Sequence, residues 1–255
     1  MTAAHEAPVL LRLIGALMLA LAGAAAAADA ACREITFEAT PYTVCRADPA
    51  QARLFLRDEA GRTIGTFSRL ARLVESRGRR LRMAMNGGMY HADRRPVGLY
   101  VEEGREIAPL VTGDGPGNFG LTPNGVLCLT GAAARIMTTD AYARDRPACR
   151  FAAQSGPMLV IGSDLHPRFL PDSASRTLRN GVGAGPEGDL LMAISDAPVT
   201  FHSFARLFRD RLDADNALFL DGAVSRLYAP GLGRADFGLP LGPILAVIGP
   251  AGAGE

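Results

Sequence analysis

The chain has 255 residues, with 27 basic against 26 acidic side chains, few aromatics and no tryptophan. So even a balance leaves no field for steering nucleic acid, and so few aromatics argue against a platform for stacking bases. Four cysteines without C-x-x-C spacing argue against a zinc ribbon or a thioredoxin-type redox centre.

The first thirty residues read as a secretory signal peptide. His5 and Glu6 precede the apolar residues 9–21, among which Arg12 is the one charge, and the alanines that follow offer A-x-A cleavage choices ending at Ala28 or Ala30. The apolar stretch falls short of the ~20 residues a membrane span needs. Cleavage, a periplasmic or secreted location and a mature chain without a span are therefore expected. Cys32, Cys45, Cys128 and Cys149 all follow that site, and an even count in an exported chain predicts two disulfides. Local pairing, Cys32 with Cys45 and Cys128 with Cys149, is expected among three possible connectivities. Residues 31–255 are expected to form one domain, since no linker, charge block or repeat divides them.

Along this domain, residues 53–57 and 63–67 predict a hairpin around an Asp-Glu-Ala-Gly turn. Ser68 is expected to cap a helix running to about Arg77, with Leu70, Leu73 and Val74 on one side. Residues 81–85 predict a buried strand, and 97–102 and 106–110 flank a turn at Gly104. Further strands are predicted at 125–129, 158–161 and 190–195. After Pro198, Thr200 is a helix cap for the stripe Phe201, Phe204, Ala205, Phe208 and Leu212. Strands at 216–220 and 241–248 complete the chain. Strands outnumber helices without regular alternation, which predicts an α+β domain on a large mixed, mostly antiparallel sheet with a few helices.

Several apolar strands run directly into polar, glycine-rich turns. These are Asn86-Gly87-Gly88-Met89-Tyr90-His91, Ser155-Gly156-Pro157-Met158, Arg179-Asn180-Gly181-Val182-Gly183 and Asp221-Gly222-Ala223-Val224-Ser225. Such turns let a ligand approach the backbone closely, and an anionic phosphate suits exposed N–H groups with a guanidinium. Taken singly, each turn is more simply a turn. Other chemistries lack their signatures. There is no G-x-S-x-G elbow and no H-E-x-x-H. Gly181-x-Gly183-x-Gly185 leads into a strand where a dinucleotide loop needs a helix. His91, Asp93, His202 and Asp221 have no metal-ligand spacing.

Asn-Gly-Gly-Met-Tyr at 86–90, Gln-Ser-Gly-Pro-Met at 154–158, Arg-Asn-Gly-Val-Gly at 179–183 and Leu-Asp-Gly at 220–222, in this order, resemble the phosphodiester glycosidase domain family. Pro-Val-Gly-Leu-Tyr at 96–100, Gly-Asn-Phe at 117–119, Phe-His-Ser-Phe-Ala at 201–205 and Leu-Tyr-Ala-Pro at 227–230 resemble a bacterial branch of it. The resemblance covers residues 81–248. It implies a hydrolase that cuts the sugar–phosphate bond of a glycosyl phosphodiester, here an exported one acting on cell-envelope material without a cofactor. A non-catalytic binding protein for envelope sugars or phosphates is the alternative. Many members carry Asp-Gly-Gly-Gly-Ser where this chain has Asp221-Gly222-Ala223-Val224-Ser225, and the two added side chains are expected to narrow that turn.

Cleavage of this bond needs a carboxylate at the sugar and a cation at the phosphate. Asp221, between an apolar strand and a glycine, is the expected catalytic carboxylate; its simpler role is to cap a turn. Arg179 is the expected phosphate contact, or else a structural arginine paired with an acid. Asn86 and Asn180 are expected to meet sugar hydroxyls or phosphate, or else simply to accommodate turn geometry. Gly87, Gly88, Gly181 and Gly222 would shape the pocket, with Ser155, Gly156 and Ser225 beside them. His202 is a candidate acid or base, His91 a candidate at the pocket edge, and Asp196 a candidate second carboxylate that is otherwise an ordinary turn residue. These readings require the four turns to converge around a single concave pocket.

Overall fold

The computed structural model describes residues 31–113, 115 and 117–251. The proposed signal peptide lies outside the described residues. A seven-stranded sheet runs in the order β1 (Ala31–Phe37), β2 (Thr40–Ala47), β13 (Leu190–Ser195), β12 (Asn180–Ala184), β14 (Asn216–Phe219), β10 (Met158–Ile161) and β11 (Asp164–Leu165). A five-stranded sheet orders β16 (Arg234–Ala235), β15 (Leu227–Ala229), β4 (Arg79–Asn86), β17 (Ile244–Pro250) and β3 (Ala52–Phe55). A second five-stranded sheet orders β6 (Arg105–Ala108), β5 (Tyr100–Glu102), β9 (Phe151–Ser155), β7 (Gly125–Leu129) and β8 (Ala134–Thr138). The pairings within all three sheets are antiparallel. The domain is α+β and mostly antiparallel, as the sequence predicts, with its strands divided over three sheets.

Side chains along a strand alternate between faces, and here both faces of each sheet are covered. Met83, Met85, Leu245 and Val247 turn into a central core with Met192, Ile194, Val182, Leu218, Leu127 and Phe151. The intervening Ala84, Ile244 and Ala246 turn the other way, onto α1 (Phe67–Ser76) through Phe67, Leu70 and Val74. Similarly, α2 (Thr139–Asp145) covers Val126, Cys128 and Ala152 with Tyr142. The third helix, α3 (Phe201–Arg206), continues as a π-helical turn over Leu207–Arg211 and packs Phe204 and Phe208 on Tyr42, Leu191 and Phe219. One helix per sheet suffices because the other face of each sheet is buried against its neighbours. Burial on both faces is why many of these strands read as continuous apolar runs.

Three local expectations change. Residues 53–57 and 63–67 form only the closing end of a hairpin: the bridge Arg57 to Thr63 and the bond from Ile64 N to Leu56 O at 3.0 Å join them, while β3 pairs with β17. Thr66 rather than Ser68 caps α1, its Oγ1 accepting from Arg69 N at 3.3 Å. The last strand begins at Ile244. The Gly104 turn, the Thr200 cap and the pairing Cys32–Cys45 and Cys128–Cys149 form as expected. Among the described residues no helix is long and apolar enough to cross a membrane.

Candidate functional site

Asn86 ends β4, Ser155 ends β9, Asn180 opens β12 and Asp221 follows β14. The four turns thus come from all three sheets, and the structure brings them together through one polar knot. Asn180 Oδ1 accepts from Asn86 Nδ2 at 3.0 Å, Asp221 N at 3.2 Å and Ser225 Oγ at 3.3 Å. Asn180 Nδ2 donates to Asn86 O at 3.1 Å, and Asn86 Oδ1 accepts from Arg226 N at 3.0 Å. Ser155 Oγ donates to Leu220 O at 2.7 Å, and Ser225 Oγ to Asp221 O at 2.6 Å. Asn86, Asn180 and Ser155 have no exposed surface. They build the Asp221 turn from behind, the structural role that the sequence offered the two asparagines beside a ligand contact.

Close packing explains two of the glycines. A Cβ on Gly87 would lie 2.7 Å from the Leu245 backbone nitrogen, and one on Gly156 would lie 1.7 Å from Asn124 Oδ1. Gly181 likewise faces Leu218 O, while Gly222 lies against Thr177, Leu178 and Phe219. The two side chains of the departure at 223–224 part company. Val224 packs toward the Phe67–Leu70 cluster and Ala223 is exposed.

Asp221 itself is partly buried, and that burial raises its carboxyl above the usual range; a hydrogen bond from Ala223 N at 2.9 Å opposes the shift. Its charge is felt by Tyr90, whose hydroxyl is raised by burial first and by Asp221 among the lesser causes, against the lowering effect of Arg94. Arg94 stacks on the Tyr90 ring at 5.1 Å, and Arg226 holds the Leu239 carbonyl. Tyr90, Arg94 and Arg226 thus form a rim that the motif reading missed. Arg94 follows the glycine motif inside the tight turn closed by His91 N to Arg95 O, with φ of 70°.

Arg179 is 2 % exposed, and its guanidinium lies 3.6 Å from the centre of the Phe201 ring and 5.6 Å from that of Phe219. Nε donates to Val199 O at 2.9 Å and Nη2 to Ser175 O at 3.2 Å. No carboxylate pairs with it among the described residues. Burial alone pulls it down to about 10. The expected alternative, an arginine paired with an acid, is not what the structure holds.

The remaining candidates make no hydrogen bond to the knot among the described residues. Asp196 is bound by Arg234 and accepts from Thr43 Oγ1 at 2.9 Å, so the expected second carboxylate is a structural ion pair. His91 is exposed, and His202, partly exposed, follows Phe201 on α3. Two buried amides had no role assigned to them from the sequence, although Gln154 opens the second motif. Gln154 binds Leu99 N, Val111 and Thr139, and Asn124 Nδ2 donates to Phe119 O at 2.7 Å. A polar side chain inside the apolar run 151–155 was the available signal for Gln154. A separate cleft of about 370 Å³ lies between residues 111–113, 122–124 and 139–140; among the described residues Asp140 is its only ionisable lining residue, and none supplies a cation for phosphate. Among the described residues no group of three or more His, Cys, Asp or Glu side chains is arranged to hold a metal ion.

Comparison with known proteins agrees with this organisation. The family model described as phosphodiester glycosidase (NAGPA) matches residues 79–236. The uncharacterized protein YigE of Escherichia coli (strain K12) is 34% identical over 220 residues, which are 86% of this chain and 85% of that one. The zebrafish N-acetylglucosamine-1-phosphodiester alpha-N-acetylglucosaminidase catalytic domain, auto-inhibited by its pro-peptide, superposes with a TM-score of 0.61 at 13% identity. That match covers 85% of this chain and 81% of that one. A hypothetical protein from Synechocystis gives a TM-score of 0.53 at 13% identity, over 85% of this chain and 61% of that one. The two solved structures share the fold, while the family model and the 34% identity set the relationship: the chain belongs to the phosphodiester glycosidase family.

Proposed function

We propose that the protein is an exported hydrolase that cleaves the sugar–phosphate bond of a glycosyl phosphodiester, in cell-envelope material. The observation that carries this reading is Arg179. A guanidinium buried on aromatic rings without a counter-charge is costly to hold, and a bound phosphate oxyanion supplies the missing partner. As the C1–O bond breaks, the departing phosphate gains negative charge, which a preorganised guanidinium stabilises more than it stabilises the substrate. Asp221, pushed up by burial, is a stronger base than an exposed aspartate and acts on the sugar side, toward the anomeric carbon or the attacking water. The two disulfides and the leader read in residues 1–30 support export.

The test is a panel of sugar 1-phosphodiesters with release of the free sugar as readout. Turnover by the parent and its loss in a folded Asp221→Asn variant support the hydrolase; absence of turnover across the panel overturns it. One observation favours the second reading, a binding protein. The Asp221 carboxylate already accepts from Ala223 N, as a turn-capping aspartate does. In that case ligand would bind without turnover, and Asp221→Asn would change affinity alone.

A further inference from the structure

Residues 236–240 form a loop that displays two large apolar side chains, Phe237 at 95 % exposure and Leu239 at 71 %. The loop is firmly tied. Asp236 accepts from Leu227 N at 2.9 Å and pairs with Arg234, Arg226 donates to the Leu239 carbonyl, and Tyr90 Oη donates to Pro240 O at 3.2 Å. Tyr90 and Arg226 therefore hold adjacent carbonyls of this loop while Arg94 stacks on the Tyr90 ring. Neither Arg94 nor Arg226 forms an ion pair among the described residues, and Asp236, the nearby carboxylate, is bound by Arg234. On the other flank of the Asp221 turn, Leu178 is 41 % exposed, and its carbonyl lies 3.4 Å from Ser225 Oγ. Two cations without carboxylate partners and an uncovered apolar patch thus share the edge of one site. Exposed apolar side chains grouped in this way mark binding surfaces.

Resting on the hydrolase reading above, we infer that the site takes an amphiphilic phosphodiester, one whose phosphate bears a long alkyl chain on the side away from the sugar. Arg94 and Arg226 face the outer phosphate oxygens, and Phe237 and Leu239 cover the first part of the chain. The charge pattern selects this occupant over a neutral apolar one, since a neutral ligand leaves both guanidinium groups without a partner. In the reaction, the oxygen of water bonds to the anomeric carbon and the C1–O electron pair leaves with the phosphate oxygen. One water proton stays on the sugar hydroxyl and the other passes through Asp221 to solvent. The product is an alkyl phosphate monoester, whose charge approaches −2 near neutral pH, so that it matches additional arginines better than the substrate did.

The test compares methyl and decyl diesters of one sugar 1-phosphate, the decyl compound below its micelle concentration. The expected kcat/KM is about tenfold or more higher for decyl, from the burial of several methylenes. Phe237→Ser with Leu239→Ser is expected to bring the ratio close to one, and these exposed positions leave folding unaffected. Arg94→Gln is expected to raise KM for both diesters. Calorimetric titration with decyl phosphate and methyl phosphate reads the same preference without turnover. Equal rates for both diesters, with equal binding of both phosphates, overturn the inference and leave the hydrolase reading intact. A tenfold preference for decyl phosphate, abolished in the double variant but without turnover of either diester, upholds the inference and overturns the hydrolase. If the double variant instead dissociates a dimer in sedimentation and leaves the ratio unchanged, the patch belongs to a second copy and the inference falls.

Discussion

Asn86 and Asn180 grip each other where two sheets meet, with Asn86 Nδ2 on Asn180 Oδ1 at 3.0 Å and Asn180 Nδ2 on the Asn86 carbonyl at 3.1 Å. The Asn180 oxygen also receives Asp221 N and Ser225 Oγ, so one side chain sets the position of the whole Asp221 turn. Asn180→Ala strands several buried donors and one carbonyl. Each such group costs about 1–3 kcal/mol, and a net loss of about 3 kcal/mol is expected. For a domain of this size that corresponds to a fall in Tm of roughly 6–12 °C. Thermal unfolding by circular dichroism checks it. Ser225→Ala, which removes one donor near the surface, should cost about 1 kcal/mol.

Arg179 tests the phosphate reading directly. Arg179→Met keeps an apolar stem between Phe201 and Phe219 and removes a buried cation, although it orphans the carbonyls of Val199 and Ser175. These effects oppose each other, and stability is expected to stay within ~2 kcal/mol of the parent. Inorganic phosphate should raise the Tm of the parent, by about 2.7 kcal/mol of stabilisation at a hundred times its Kd. The variant should show no such rise. A parallel rise in both proteins would mean that phosphate binds elsewhere.

The fold was legible in the sequence wherever burial on both faces made a strand continuously apolar, as at 81–85, 125–129 and 190–195. Pairing was not. Residues 53–57 precede a good turn, yet β3 pairs with β17, nearly two hundred residues later, and nothing local encodes that partner. At the site, the glycine-rich turns were visible, and hydrogen bonds join them. The role of Asn86 and Asn180 was hidden because a buried asparagine that satisfies another asparagine looks the same in sequence as one awaiting a sugar. Tyr90, Arg94 and Arg226 were passed over because a rim is defined by which loop carbonyls it holds, not by spacing along the chain. Asp196 looked available until its partner Arg234, far along the chain, came into place.

Asp221 gives a prediction with a definite sign. Burial raises its carboxyl in the folded protein, so the folded state binds this proton more tightly than the unfolded chain does. Ionising the group therefore costs stability. Its contribution is fully present below the unfolded carboxyl value and is lost as pH rises through the raised folded value. Asp221→Asn keeps an acceptor for Ala223 N and carries no charge. The variant should match the parent in Tm at about pH 3.5 and exceed it by roughly 1–3 °C at pH 7.5, while losing turnover. Paired melts at the two pH values decide this. A variant less stable than the parent at pH 7.5 would show that the ionised carboxylate supports the fold.

Gly156 and Asn124 form a pair that a double-mutant cycle can isolate. The Asn124 amide is oriented by Nδ2 on Phe119 O, which aims Oδ1 at the place a Gly156 side chain would occupy, 1.7 Å away. Asn124 Oδ1 has no hydrogen-bond partner of its own among the described residues, so close packing is what holds it there. Gly156→Ala should therefore destabilise by about 2–3 kcal/mol through overpacking. Asn124→Ala removes the obstructing oxygen but orphans Phe119 O, at a cost of about 1–2 kcal/mol. In the double variant the new methyl fills the space the amide left, and stability should recover to near that of Asn124→Ala alone. The interaction energy is then favourable by about 2 kcal/mol. Strict additivity of the two single effects in chemical denaturation would show that Gly156 is constrained by its backbone and not by Asn124.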